Sequence, residues 1–236
     1  MAIRHKRVVV ALDTGGSADW NDDHVHDFTD EISADLLTFG QAVAADWDTA
    51  QTAGGSAPAW AMVSGHSFVV LNTGGVTNQV SSMRKELGAA VSNITHPDDN
   101  PVLTCALEIT AVKDDAGVAN SVVEFGFQDD SDALFTQNQH FAIFRVYNGK
   151  VHAVTGDGAA ETETEIADYG QYSTYRIEFS TGHVKFYVDN MVTAAADHTA
   201  NLPTADMTAK FSVRSKDNVD STIRVDAAAL TRLRKA

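Results

Sequence analysis

The sequence predicts an all-β protein, an antiparallel two-sheet jelly-roll sandwich, on three observations. Segments from Val102 to the C-terminal end alternate apolar and polar residues with a period of two, as half-buried strands do. Turn residues separate those segments, most plainly Asn148-Gly149, a pair that supplies the two positive φ angles of a type I′ hairpin. Helical periodicity is weak throughout, so the chain reads as about eight or more antiparallel strands in two layers.

Taken in order, residues 1–30 are polar and turn-rich and read as an attachment segment, with residues 31–236 forming the sandwich domain. The stretch "DFTDEISADLLTFG" predicts a short helix, capped by Asp27 or Thr29, with Ile32, Leu36 and Phe39 on one face. Residues 40–59 are rich in Ala, Asp, Thr and Gly, and strand-like sequence begins at Trp60. "SSMRKELGAA" predicts a further turn or two of helix.

The strands then follow. "VLTCALEITAV" alternates Leu103, Cys105, Leu107 and Ile109 against polar partners, and "SVVEFGFQ" places Val123, Phe125 and Phe127 on one face. "HFAIFRVYNGKVHAV" is apolar on both faces before its turn, which predicts a central strand. "TYRIEFSTGHVKFYVDNMV" is a hairpin with Tyr175, Ile177, Phe179, Val184, Phe186 and Val188 inward, turning at Ser180-Thr181-Gly182 and again at Asp189-Asn190. "AKFSVRS" and "STIRVDAAALTRL" close the set with Phe211, Val213, Ile223 and Val225 inward.

Composition bounds the function. A chain of 236 residues with 44% hydrophobic content can bury a substantial core. Thirty-two acidic against 17 basic residues give a formal charge of −15, which disfavours nucleic acid and anionic membrane surfaces as partners. No apolar run is long enough to span a bilayer, so no membrane insertion is expected. Cys105 stands alone in an apolar strand and reads as a small buried side chain.

The candidate sites are few. Asp22, His24 and His26 would share a strand face as zinc ligands do, but Asn21 and Asp22 equally suit a backbone-bonded turn, which is the reading taken. The carboxylates of "ETETEIAD" (Glu161, Glu163, Glu165) share a face of an extended strand, yet their spacing and intervening threonines read as an exposed loop or edge, not a catalytic pair. No catalytic residue is assigned and no enzyme is expected. Asp98, Asp99 and Asn100 in one loop, with Asp129 and Asp130 in another, offer the hard oxygens that calcium takes; no other cofactor is expected. Trp47, Tyr169 and Tyr172 are candidates for stacking on sugars.

The hairpin "YRIEFSTGHVKFYVDNMV", with "HTANLP" and "FSVRS" after it, resembles the late strands of concanavalin A-like (laminin G-like) jelly rolls over residues 60–236, with Asn190 where Gly is usual. The opening "HKRVVVALDTGGSADWNDDHV" is similar to the N-terminal signature of tailed-phage virion proteins, carried by Asp19, Trp20, Asn21, His24 and Val25. Together these resemblances imply a virion structural protein, a capsid decoration, head spike, or tail-tip or tail-fibre subunit, on the particle surface. Arg4, His5, Lys6, Arg7, Trp20, Asn21, His24 and Val25 would anchor it to capsid or tail proteins, with a homo-oligomer displaying the sandwich. The alternative is a carbohydrate-binding, lectin-like module for host-surface glycans.

Overall fold

The computed structural model describes residues 32–37, 47–51, 56–63, 66–74, 79–85, 95–111, 122–129, 139–169, 172–215 and 221–233. Their only helical element is a short 3-10 turn, Pro97–Asp99. No helix among them is long and apolar enough to cross a membrane. The strands are β1 (Ile32–Leu37), β2 (Trp47–Gln51), β3 (Ser56–Val63), β4 (His66–Asn72), β5 (Gln79–Lys85), β6 (Val102–Ala111), β7 (Val122–Gln128) and β8 (His140–Tyr147). They continue with β9 (Lys150–Asp157), β10 (Glu161–Asp168), β11 (Tyr172–Ser180), β12 (His183–Val188), β13 (Ala196–His198), β14 (Thr208–Ser215) and β15 (Thr222–Leu233).

Two antiparallel sheets result. The first runs β13-β12-β11-β6-β15-β4-β3, with β1 also paired to the long β15; the second runs β10-β9-β8-β7-β14-β5-β2. The expected two-layer jelly roll is therefore the observed one. Asn148 and Gly149 adopt φ 50 and 72, as the type I′ turn between β8 and β9 requires.

Two expectations fail. Ile32–Leu37 is strand, not helix, because it pairs antiparallel with the C-terminal half of β15, Ile32 opposite Leu233 and Leu37 opposite Ala228. The first half of "SSMRKELGAA", residues 81–85, is likewise strand, in β5 between β14 and β2 with Met83 sent into the core, while residues 86–90 lie outside the described residues. Sheet pairing overrides local helical spacing in both. Met191 and Val192, beyond the second turn, join no strand, and Val192 is exposed.

The core is the layer between the sheets, filled from both sides by alternate residues. Phe125 of β7 stacks on Phe144 of β8 at 5.3 Å and meets Tyr175 of β11 edge-on at 4.8 Å. Phe144 meets Phe186 of β12 at 5.3 Å, and Phe127 meets Phe179 at 5.5 Å. Such pairs add about 0.5–1.5 kcal/mol each beyond their buried area. Cys105 is buried here, and burial pushes its thiol far above the ordinary range.

His198 of β13 fastens one sheet to the other. Its Nδ1 lies 3.0 Å from Thr155 Oγ1 of β9 and its Nε2 3.0 Å from Thr164 Oγ1 of β10. Burial lowers its pKa, so the neutral ring, one nitrogen donating and the other accepting, is the folded form. A base depressed in the folded state contributes stability above its unfolded pKa of about 6.5 and loses it as pH falls. The stability gap between wild type and His198→Asn should therefore narrow between about pH 7 and pH 5, measured by urea unfolding. A gap that widens on acidification would contradict a neutral buried ring.

Candidate functional site

The outward face of the second sheet carries the unexpected chemistry. Residues opposite one another in antiparallel strands share a face. The register therefore aligns Glu165 (β10), His152 (β9), Arg145 (β8), Glu124 (β7), Ser212 (β14) and Ser82 (β5) in one polar row across six strands. The next row places Glu163, Val154 and Ile143 side by side, then Lys210 opposite Arg84. Val154 and Ile143 pack with Phe141 in a small apolar cluster of their own.

The face is polar and yet largely buried. Glu124 is 1%, Arg145 2% and His152 8% exposed. Arginine and glutamate are rarely so enclosed unless paired, and here they are. Arg145 Nε donates to Glu124 Oε1 at 2.9 Å, and its Nη1 donates to Glu161 Oε2 at 3.1 Å and Glu163 Oε2 at 3.5 Å.

Glu163 is the hub. Its Oε1 accepts from the Tyr147 hydroxyl at 2.5 Å and lies 2.9 Å from His152 Nδ1. The Tyr147 and His152 rings stack at 4.2 Å. Burial lowers the His152 pKa, against the pull of Glu163, and leaves the imidazole neutral; burial and then Glu163 push the Tyr147 hydroxyl up. Burial also raises the Glu124 carboxyl, opposed by Arg145. Two atoms of this network have no hydrogen-bond partner among the described residues, His152 Nε2 and Glu124 Oε2. A neutral imidazole beside a phenol and a carboxylate is an acid/base group, and the same set can clasp hydroxyls.

The edge strand β10 opens this site to solvent. Glu165 is 57% exposed at its side chain, and Lys150 bridges it (3.5 Å) to Asp168 (2.6 Å). Reading "ETETEIAD" as an edge was correct, and its glutamates do share one face. Arg145, Tyr147, His152 and Glu124 were missed. The available signal was a charge inside each of two apolar strands, Glu in "VVEFGF" and Arg in "FAIFRV"; only the register shows that the two face each other.

The other candidates lie apart. Arg4 to Arg7, Trp20, Asn21, His24 and Val25 fall outside the described residues, as do Asp22, His26 and Asp130. Trp47 opens β2, at the opposite edge of the second sheet from β10. Tyr169 is half-buried against the core, its N–H donating to Gly149 O at 3.2 Å. Tyr172 is 47% exposed on the first sheet, its hydroxyl donating to Asp226 Oδ2 at 2.6 Å. Trp47 thus stands at the far edge of the second sheet from Tyr169, which follows β10.

For calcium, Asp98, Asp99 and Asn100 belong to the 3-10 turn and the residue after it, where Asp98 N–H donates to His96 Nδ1 and Asn100 adopts φ 47. Asp129 Oδ2 accepts from His140 N–H at 3.1 Å. Turn chemistry thus employs these residues, and no three His, Cys, Asp or Glu side chains converge on a metal position among the described residues.

No sequence-family model and no curated protein matches the chain. Solved structures do. Alginate lyase A1-II′, a member of polysaccharide lyase family 7, aligns with TM-score 0.52 at 8% identity, over 75% of this chain and 84% of its own. A native glycosidic hydrolase aligns at 0.57 and 13%, over 84% and 94%. The exoplasmic/lumenal domain of VIP36, in a Ca2+- and Man3GlcNAc-bound form, aligns at 0.52 and 13%, over 80% and 84%. The likeness is one of fold, the concanavalin A-like jelly roll. It overturns the expectation that the chain is no enzyme. That expectation rested on the missing carboxylate pair, whereas the structures sharing this sandwich include a polysaccharide lyase and a glycosidic hydrolase.

Proposed function

We propose that this protein binds carbohydrate on the outward face of its second sheet, around Glu163. The observation that carries the reading is the Arg145–Glu163–Tyr147–His152 network, which holds fixed donors and acceptors beside atoms still lacking partners. A sugar ring presents hydroxyls that both donate and accept, and a preorganised network of planar side chains meets them at low ordering cost. The likeness to a Man3GlcNAc-bound domain supports the reading at the level of fold. The setting implied by the N-terminal resemblance, display on a phage particle where host glycans are met, belongs to the same proposal. Its anchor residues Trp20, Asn21, His24 and Val25 would be tested by removing residues 1–30 and assaying particle attachment.

A second reading, glycan cleavage at the same place, is favoured by one observation: the neutral His152 stacked on Tyr147 with its Nε2 unpartnered. One experiment addresses both. The full chain is screened on a glycan array, and the retained glycans are followed by calorimetry and for new chain ends. Glu163→Gln is expected to weaken binding about tenfold, the loss of one charge-assisted hydrogen bond. If no glycan of any class is retained, the carbohydrate reading is wrong. If new ends accumulate and Tyr147→Phe abolishes them, cleavage is the function; binding without turnover leaves a lectin.

A further inference from the structure

Charge is distributed unevenly across the outward face of the second sheet. At the β10 flank lie Glu161, Glu163, Glu165 and Asp168, met by Arg145 and Lys150. Both cations are already committed: Arg145 to Glu124, Glu161 and Glu163, and Lys150 to Glu165 and Asp168. Among the described residues, the other lysine and arginine side chains of this face, Lys210, Arg84 and Arg214, stand on β14 and β5, beyond β7. The solvent-reaching part of the site is therefore acidic, on a chain whose formal charge is −15. An anionic polymer approaching it is repelled both by the flank and by the whole molecule.

We propose that the site selects glycans carrying free amino groups, with the ammonium held at the Glu163–Glu165 flank and the ring hydroxyls reaching into the polar row. This rests on the carbohydrate reading above and narrows it. Two features beyond the carboxylates point to a ligand. His152, 8% exposed, leaves Nε2 without a partner among the described residues, and Glu124, 1% exposed, leaves Oε2 without one, both in the same row. The acceptors suit donors of an incoming group, and Glu163 and Glu165 sit on successive outward positions of one strand, where a single ammonium can meet both. Uronate chains, which bring carboxylates of their own, find no uncommitted cation at this flank among the described residues.

The test is calorimetric titration of the full chain with glucosamine oligomers, their N-acetylated counterparts and uronate oligomers, at a pH where the sugar amine is protonated. Glucosamine oligomers should bind about tenfold tighter than the acetylated ones. That margin should shrink in about 1 M salt, where the screening length falls to about 3 Å. It should also shrink in Glu165→Gln, whose exposed position keeps the fold out of the result. Equal binding of acetylated and free-amine oligomers, or binding of the uronates, overturns the amino-sugar proposal and leaves the carbohydrate reading intact. Failure of all three glycans to bind, with none retained on the array, overturns both.

Discussion

Replacing Arg145 by methionine is expected to destabilise the fold by about 3–5 kcal/mol, because it leaves a buried carboxylate without its counter-charge. Glu124 is 1% exposed and its Oε1 is held by Arg145 Nε, while its Oε2 has no partner among the described residues. Removing the guanidinium also releases Glu161 and Glu163, which it draws together from β10. The deficit should depend on pH with a definite sign. Burial already raises the Glu124 pKa, and losing Arg145 raises it further. A carboxyl raised in the folded state is better tolerated below its unfolded pKa and increasingly destabilising as pH climbs through the folded value. The gap between wild type and Arg145→Met should therefore be smaller near pH 4.5 than at pH 7. The double variant Glu124→Gln/Arg145→Met should recover part of the loss, since an apolar or neutral pair often replaces a buried ion pair without great cost. Urea unfolding reads all three, and a loss below about 1 kcal/mol for Arg145→Met would show that the network is not the buried pair described.

Gly126→Ala is the second large effect. Gly126 lies in the middle of β7 at φ +145, a conformation that L side chains rarely adopt. A Cβ there would stand 2.4 Å from Ala142 O and 2.7 Å from Ile143 Cα of the neighbouring strand, and 2.8 Å from Ile177 Cδ1 of the opposite sheet. The first two are backbone of a fully paired central strand and cannot move aside singly. Strain and overpacking together give about 2–6 kcal/mol. Gly182→Ala is the matched control: φ is +73 in the β11–β12 turn, but nothing lies within 4 Å of the added atom. It should cost only about 1 kcal/mol. Similar melting temperatures for the two variants would mean that β7 and β8 are not packed as described.

Much of the sandwich is legible from alternation alone. Leu103 to Ile109, Val123 to Phe127, Tyr175 to Phe179, Phe211 with Val213, and Ile223 with Val225 each reach the shared core on the face that period-two reading assigns. In those strands polar or small residues stand between the apolar ones at every second position, so the sequence pattern carries the information even where, as in β7 and β14, both faces are buried. Residues 32–37 and 79–85 mislead because their spacing satisfies a helix as well as a strand, and the partners that decide between the two lie far away in sequence. The site is illegible for a related reason. Glu124 and Arg145 are 21 residues apart and Arg145 and Glu163 18 apart, so no local motif joins them. Their meeting depends on the register of four strands, and a slip of one residue would send each to the opposite face.

The alternation in β10 has a consequence for how this protein can change over generations. Glu161, Glu163 and Glu165 face outward, whereas Thr162 and Thr164 turn inward to Ala200 O, Asn201 and His198. The odd-numbered positions thus carry the carboxylates of the outward face, and the even-numbered ones hold the strand in place. Glu165, 57% exposed at its side chain, can change while the fasteners stay untouched, whereas Glu161 and Glu163 also neutralise the buried Arg145, so a change at either calls for a matching change there; one short strand thus sets a position free to vary beside two tied to the interior.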